Sequence, residues 1–384
     1  MTDQSWPQIH AVLESWDEEQ QKRFPLFWSP QLLSEIEGTT AFDVFSTARR
    51  GVEQEYTQVL SELCPELASK FSMDSYKKVW ALINSRILTL PESSHPALVP
   101  LFDLVNHHLP MPSKPLRSTA QVQRHLNLSL GRYGLKGQHL ELWLQKPLKR
   151  PGEITDVYGL QSNEETLWSF GFTVPWIHNL TCLTRLRVHL TKWDLPRRST
   201  SEGGSEALLG LQEIPEMHLE RLLRFELGGC SSKKWSIRRS LWKPLSFLRV
   251  WLVSLRADLL ELRRSCSLTL PEALQPFLDE LPLTTFFSST WHLNEQCSHV
   301  TREEEQLALQ TMFSHLDQAL QRMKGVPAAS ADEQLLAKDL DGALHDAITI
   351  RRDEKDLIAK HMAWLKHRME QLKRKWPAAA HDEF

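Results

Sequence analysis

The sequence predicts an α+β protein with a helical front, a strand-rich middle and a long helical back. Three observations carry this. Apolar residues recur at helical intervals up to about residue 75. Leu126-Asn-Leu-Ser-Leu130 and His139-Leu-Glu-Leu-Trp-Leu144 alternate with a period of two. From about Leu183 the spacing reads as helical again.

The front is read from Tyr56-Thr-Gln-Val-Leu-Ser-Glu-Leu-Cys-Pro65, which repeats at helical spacing, and from Pro25 and Pro30, which bracket a Phe-rich connection. Tyr76 to Leu90 reads as one more helix, ending in Asn84-Ser-Arg86 before a loop, and Pro91 to Pro96 is a break. Gly134 and Gly137 are expected to mark the turn between the two alternating segments. Arg197 to Ser205 is a loose polar stretch. A later helix is specified by the capping-box pair Thr301 and Glu304, by Leu309, Met312, Phe313, Leu316, Leu320 and Met323, and by Gly325 at its end. The last helix spaces Ile358, Met362, Leu365, Met369, Leu372 and Trp376 by fours and threes. The run is short, so packing inside its own bundle is preferred to a coiled-coil dimer, and a monomer is expected.

Bulk properties narrow the function. With 45 basic and 48 acidic residues the formal charge is -3, which argues against a chain that grips nucleic acid mainly by charge, although Lys233 to Arg239 is a local basic patch. The cysteines Cys64, Cys182, Cys230, Cys266 and Cys297 are dispersed, with no metal-ligand spacing, as suits reduced thiols in the cytoplasm or nucleus. The N-terminal residues carry no basic and apolar signal pattern. Phe247 to Leu262, the most apolar helical stretch, contains Arg249, Arg256 and Asp258, so no membrane association is expected.

The chemistry-bearing residues lie in the middle. They fall in Ala97-Leu-Val-Pro-Leu-Phe-Asp-Leu-Val-Asn-His107, in Gly152-Glu-Ile-Thr-Asp-Val-Tyr-Gly-Leu-Gln-Ser-Asn163 and in Ser169-Phe-Gly-Phe172. Tyr158 ends a predicted strand just before Gly159, where a turn can present its hydroxyl; a Tyr capping a sheet edge would look the same. The pair His107-His108 has no Cys or carboxylate spaced to complete a metal site. Ser162-Asn163 is expected to cap the helix Glu164 to Phe170.

Taken together, these segments resemble the second half of a SET methyltransferase domain, within the Rubisco large-subunit methyltransferase group that includes the SETD-type enzymes. Pro25 to Thr39 is similar to the start of that group's helical insert. Leu245-Ser-Phe-Leu-Arg-Val250 and Ala347 to Ile358 are similar to its helical substrate-binding domain. The resemblance implies S-adenosylmethionine as cofactor, a protein substrate and methylation of a lysine, with histidine as the other acceptor. It implies a catalytic role for Tyr158, and cofactor contacts from Arg86, Asp103, Asn106, His107 and Phe172. It also implies a threaded segment, 152–163, that brings Tyr158 beside Asn106. A non-catalytic protein-binding module derived from such an enzyme is the alternative.

The domain organisation follows: a helical insert at 1–75, the C-terminal part of the SET domain at 76–180, and an all-α substrate-binding domain at 181–384. Members of the group begin with a Gly-rich strand pair that contacts the cofactor. The first glycine here is Gly38, inside the insert, so the chain is read as a partial SET domain without that pair, and turnover by this chain is an open expectation.

Methyl transfer to an amine sets demands these residues can meet. The attacking nitrogen must be uncharged, whereas a free lysine has a pKa of about 10.4. Apolar surroundings lower that value, alignment replaces chance encounter, and aromatic faces suit a cationic sulfonium.

Overall fold

The computed structural model describes residues 16–58, 62, 65–68, 71–89, 96–99, 104–108, 131–136, 139–144, 153–158, 161–174, 185–189, 224–228 and 302–375. The chain divides into two compact units, Met1–Thr184 with Met323–Glu354, and Arg185–Arg322 with Lys355–Phe384.

Helices dominate the first unit, and side-chain caps start most of them. In α1 (Glu18–Lys22) the Asp17 carboxylate accepts the Gln20 N–H at 2.7 Å. After a 3-10 turn at Pro25–Phe27, α2 (Pro30–Leu33) opens on Ser29, with Pro30 in its first turn, where no N–H is needed. Thr39 caps α3 (Thr40–Tyr56), just after Gly38 at φ 81°. The short α4 (Pro65–Ala68) precedes α5 (Met73–Arg86), which Ser72 caps. A reciprocal Ser162–Glu165 capping box starts α6 (Asn163–Phe170), and Gly171 ends it at φ 74°.

Two apolar clusters hold these helices. Trp28, Ile36, Ala41, Phe45, Leu167 and Ile350 form one; Trp16, Phe24, Leu26, Val52, Ala81 and Leu82 form the other. Trp168 packs against both, stacking on Phe45 at 5.7 Å and meeting Trp80 edge-on at 5.9 Å. Burial of each large side chain contributes about 1.5–3 kcal/mol. Later chain completes the unit: α8 (Ala329–Leu336) and the first turns of α9 (Gly342–Lys375). Buried Arg351 on α9 donates from Nε and Nη2 to Asp332, the shortest contact being 2.6 Å, and from Nη1 to Glu35 at 3.1 Å. Buried Glu354 accepts the Thr40 and Ala41 N–H groups at 2.8 and 3.1 Å, capping α3 from far along the sequence.

The strands are short and pair in twos. β1 (Ile87–Thr89) runs antiparallel to β2 (Pro96–Leu98), with Ile87 opposite Leu98. β3 (Asn106–His107) runs parallel to β6 (Thr155–Asp156). β4 (Gly131–Lys136) runs antiparallel to β5 (His139–Leu144). Two-stranded pieces of this size are marginal alone, so the helices must hold them.

In the second unit, β7 (Arg185–His189) and β8 (Arg224–Gly228) pair antiparallel. α7 (Arg302–Arg322) buries Leu309, Met312, Leu316 and Leu320, and the rest of α9 buries Ile358, Leu365 and Leu372. Arg368 of α9 lies 3.8 Å from Glu305 of α7. No helix among the described residues is long and apolar enough to cross a membrane.

Some expectations change. The helix ends at Arg86, where Asn84-Ser-Arg86 was expected to end it, but Ile87–Thr89 forms a strand paired with β2 instead of carrying the helix towards Leu90. Gly134 sits inside β4, opposite Glu141, rather than in a turn. The back is not wholly helical: Leu186 and Val188 pair with Leu227 and Phe225, an alternation of period two that the helical reading passed over. Leu126–Leu130, Leu245–Val250, Thr301 and Trp376 lie outside the described residues.

Candidate active site

The parallel pairing of β3 and β6 builds the site. Asn106 stands opposite Thr155 and His107 opposite Asp156, and the His108 N–H donates to the Asp156 carbonyl at 3.0 Å. This register brings Tyr158, two residues beyond β6, onto the segment that carries Asn106 and His107. The Tyr158 hydroxyl donates to the Val105 carbonyl at 2.6 Å, and the Tyr158 N–H donates to His107 Nδ1 at 3.1 Å.

The end of α6 supplies the facing wall. Gly171 takes the left-handed conformation that favours glycine, and a Cβ there would stand 2.8 Å from the Phe24 ring. The reversal places Phe170 and Phe172 on either side of it. His107 stacks on Phe172 with centroids 5.3 Å apart, and Tyr158 meets Phe170 at 4.8 Å.

That wall is anchored to α9. Asn163 donates from Nδ2 to Asp353 and accepts the Val174 N–H, both at 2.7 Å. Thr173 donates from its N–H and its hydroxyl to Asp346 Oδ1, at 3.2 and 2.6 Å. Burial raises the Asp346 pKa, with the Thr173 donors pulling the other way. Ser162 caps α6 as its position suggested, while Asn163 serves as a buried tie.

These elements enclose a cleft of about 770 Å³, lined by Arg86, Asn106, His107, Tyr158 and Phe172 among others. Five of the residues singled out in the sequence therefore meet in one place, although Arg86 ends a helix, Asn106 and His107 form a strand, and Tyr158 and Phe172 lie in connections. Asp103 lies outside the described residues. Asn106 donates from Nδ2 to Glu153, a residue of the segment expected to return beside it.

His107 brings no charge to the cleft. Burial lowers the His107 pKa to about 4, and the neighbouring His108 adds to the effect. At neutral pH the ring is uncharged. Since Nδ1 accepts a hydrogen bond, the proton sits on Nε2, which is buried and finds no hydrogen-bond partner among the described residues.

Other lining residues were not singled out in the sequence. Trp16, Phe24 and Phe170 add aromatic surface, and Asp17, Gln20 and Arg23 add polar surface. Phe170 neighbours the Gly171-Phe172 pair and could have been found by asking what a left-handed glycine does to the residues on both sides. Nothing in the order of residues links Trp16 to a cleft formed from 86 to 172.

Comparison with known proteins follows the same direction. No family model matches the chain. Over 149 residues it is 24% identical to SET domain-containing protein 8 of Schizosaccharomyces pombe; the match spans 38% of this chain and 30% of that relative. Among solved structures, the SET domain of LSMT bound to lysine and AdoHcy superposes with a TM-score of 0.59 at 15% identity, covering 98% of this chain and 79% of that one. Rubisco LSMT bound to AdoMet gives a TM-score of 0.58 at 14% identity, with the same coverage.

Proposed function

From the premise of a SET-domain fold and a SET-domain relative, we propose that this chain is an S-adenosylmethionine-dependent protein methyltransferase acting on a lysine side chain, with histidine as the other acceptor. The observation that carries this is the convergence of Arg86, Asn106, His107, Tyr158 and Phe172 on one cleft. In this reading Tyr158 is the catalytic residue and the other four hold the cofactor. Asp103 joins them on the resemblance alone. The segment from about residue 181 would engage the protein substrate.

The residues present fit such a cofactor. The cleft volume is in the range that holds nucleoside-sized ligands. The Arg86 guanidinium suits a carboxylate. The faces of His107, Tyr158, Phe170 and Phe172 suit a sulfonium, and an uncharged His107 adds no repulsion. When bound, the cofactor supplies a methyl group activated by positive sulfur.

The chain's own side chains would then govern the acceptor. With its proton committed to Val105, the Tyr158 oxygen acts towards an incoming amine as an acceptor. Accepting one amine N–H turns the nitrogen lone pair in a fixed direction. Phe170 and Phe172 give that amine apolar surroundings, which favour its uncharged form over the ammonium. The proton lost on the way in leaves to solvent.

The test is transfer of labelled methyl from S-adenosylmethionine to protein acceptors. Wild-type chain should label a lysine, and Tyr158→Phe should cut the rate by about 100-fold, the scale of losing one preorganised polar contact. Equal labelling by both proteins contradicts the role of Tyr158. A protein partner held equally by both, without cofactor and without transfer, would identify a binding module instead.

A further inference from the structure

We propose that the His107 ring is a positioning residue for Tyr158, forming with the Val105 carbonyl a two-point clamp that sets the direction of the phenol. This rests on the reading of Tyr158 as the catalytic residue and adds a side-chain function to a residue so far assigned only to the cofactor.

The clamp grips Tyr158 at both ends. At the backbone, its N–H donates to His107 Nδ1 at 3.1 Å; at the ring tip, its hydroxyl donates to the Val105 carbonyl at 2.6 Å. Both acceptors belong to one short segment, two residues apart, and β3 fixes that segment to β6 immediately before Tyr158. The chain connecting β6 to Tyr158 is thus closed into a small loop, with the phenol spanning it. The imidazole is held in turn, lying 28° from parallel with Phe172 and 5.3 Å from the Tyr158 ring.

The chemistry suits an acceptor that must stay available. Nδ1 can accept only while unprotonated, and burial keeps His107 uncharged across the working range. A cationic imidazolium would present an N–H to the Tyr158 N–H and open the clamp. Rotation of an unclamped Tyr158 would move its oxygen away from an amine without altering the cleft's aromatic walls. Loss of the acceptor should therefore appear in turnover rather than in cofactor affinity.

Two substitutions separate the possibilities. His107→Phe keeps a flat ring against Phe172 but removes the acceptor. His107→Asn places an amide oxygen near the position of Nδ1 but gives up the ring. The clamp predicts that His107→Phe lowers kcat about tenfold, the effect of one lost hydrogen bond of ordinary strength, while cofactor Kd changes little. His107→Asn should recover most of that kcat while weakening cofactor binding. The reverse pattern, kcat retained in His107→Phe and lost in His107→Asn, overturns the proposal.

A second readout needs no turnover. Long-range proton–nitrogen NMR on the full chain should show His107 as the Nε2–H tautomer, with a Tyr158 amide proton shifted downfield that returns towards its ordinary position in His107→Phe. A Tyr158 amide shift that ignores the substitution overturns the clamp, and an Nδ1–H tautomer in the wild-type chain overturns it even if both variants fail to fold. Absence of any methyl transfer by wild-type chain would sink the proposed function instead, while the NMR result still decides the clamp.

Discussion

The cleft and the helical foundation that anchors it handle buried polar groups differently. In the foundation, a buried guanidinium is met by carboxylates, and a buried carboxyl group by orphan backbone donors. Arg351 grips Asp332 and Glu35, and Glu354 takes the first N–H groups of α3. In the cleft, His107 is kept uncharged, and its Nε2 is buried with no partner among the described residues. The difference teaches what each region is for. A paired ionic network fixes geometry, whereas an uncharged ring carries no charge into the wall of the cleft it helps to build.

The largest test of that contrast is to break the foundation. Asp332 and Arg351 are almost fully buried, so Asp332→Ala leaves the guanidinium with the partly exposed Glu35 in place of a buried carboxylate. A loss of about 3–5 kcal/mol is expected in chemical denaturation, typical of removing one partner from a buried pair. A change near zero would mean that Glu35 and solvent replace Asp332 easily, and the foundation would not be the rigid half of the comparison.

A smaller effect should distinguish the regions by pH. Burial pushes Glu354 up to about 8, against the pull of the Thr40 and Ala41 N–H groups, with Glu164 adding to the rise. The folded protein then holds a proton that the unfolded chain releases near pH 4.5, so this contribution is complete below pH 4.5 and is lost as pH rises through 8. The buried His107 and His361 act in the opposite sense. Their contribution is complete above pH 6.5 and is lost as pH falls through 4. Between pH 6.5 and 8 the imidazoles are silent, and stability should fall by about 2 kcal/mol through Glu354. Denaturation midpoints across that window should become flat in Glu354→Gln. A wild-type profile already flat there would place a charged Glu354 at the start of α3.

Much of this was legible in the residue order, though unevenly. The capping signal at Ser162 was local and read well, because such a signal acts within a turn of the backbone. The meeting of Tyr158 with Asn106-His107 was legible only through resemblance, since a two-residue parallel pairing leaves almost no pattern of its own. β7 and β8 were missed although Leu186, Val188, Phe225 and Leu227 alternate, because five-residue strands are outvoted by longer helical spacing around them. The ties Asn163–Asp353 and Thr173–Asp346 join residues far apart in the chain and had no signal at all. Nor did the sequence show that 323–354 would complete the first unit, whose buried charges come largely from that stretch.

The central claim is that the aromatic cleft holds an S-adenosyl ligand, and titration calorimetry with S-adenosylhomocysteine tests it directly. Wild-type chain should bind at one saturable site. Gly171→Ala should bind about tenfold more weakly, because left-handed backbone costs a side chain about 1–2 kcal/mol and the new methyl would press on Phe24, shifting Phe170 and Phe172. No heat at high protein concentration, or identical affinity in the two proteins, would contradict the account.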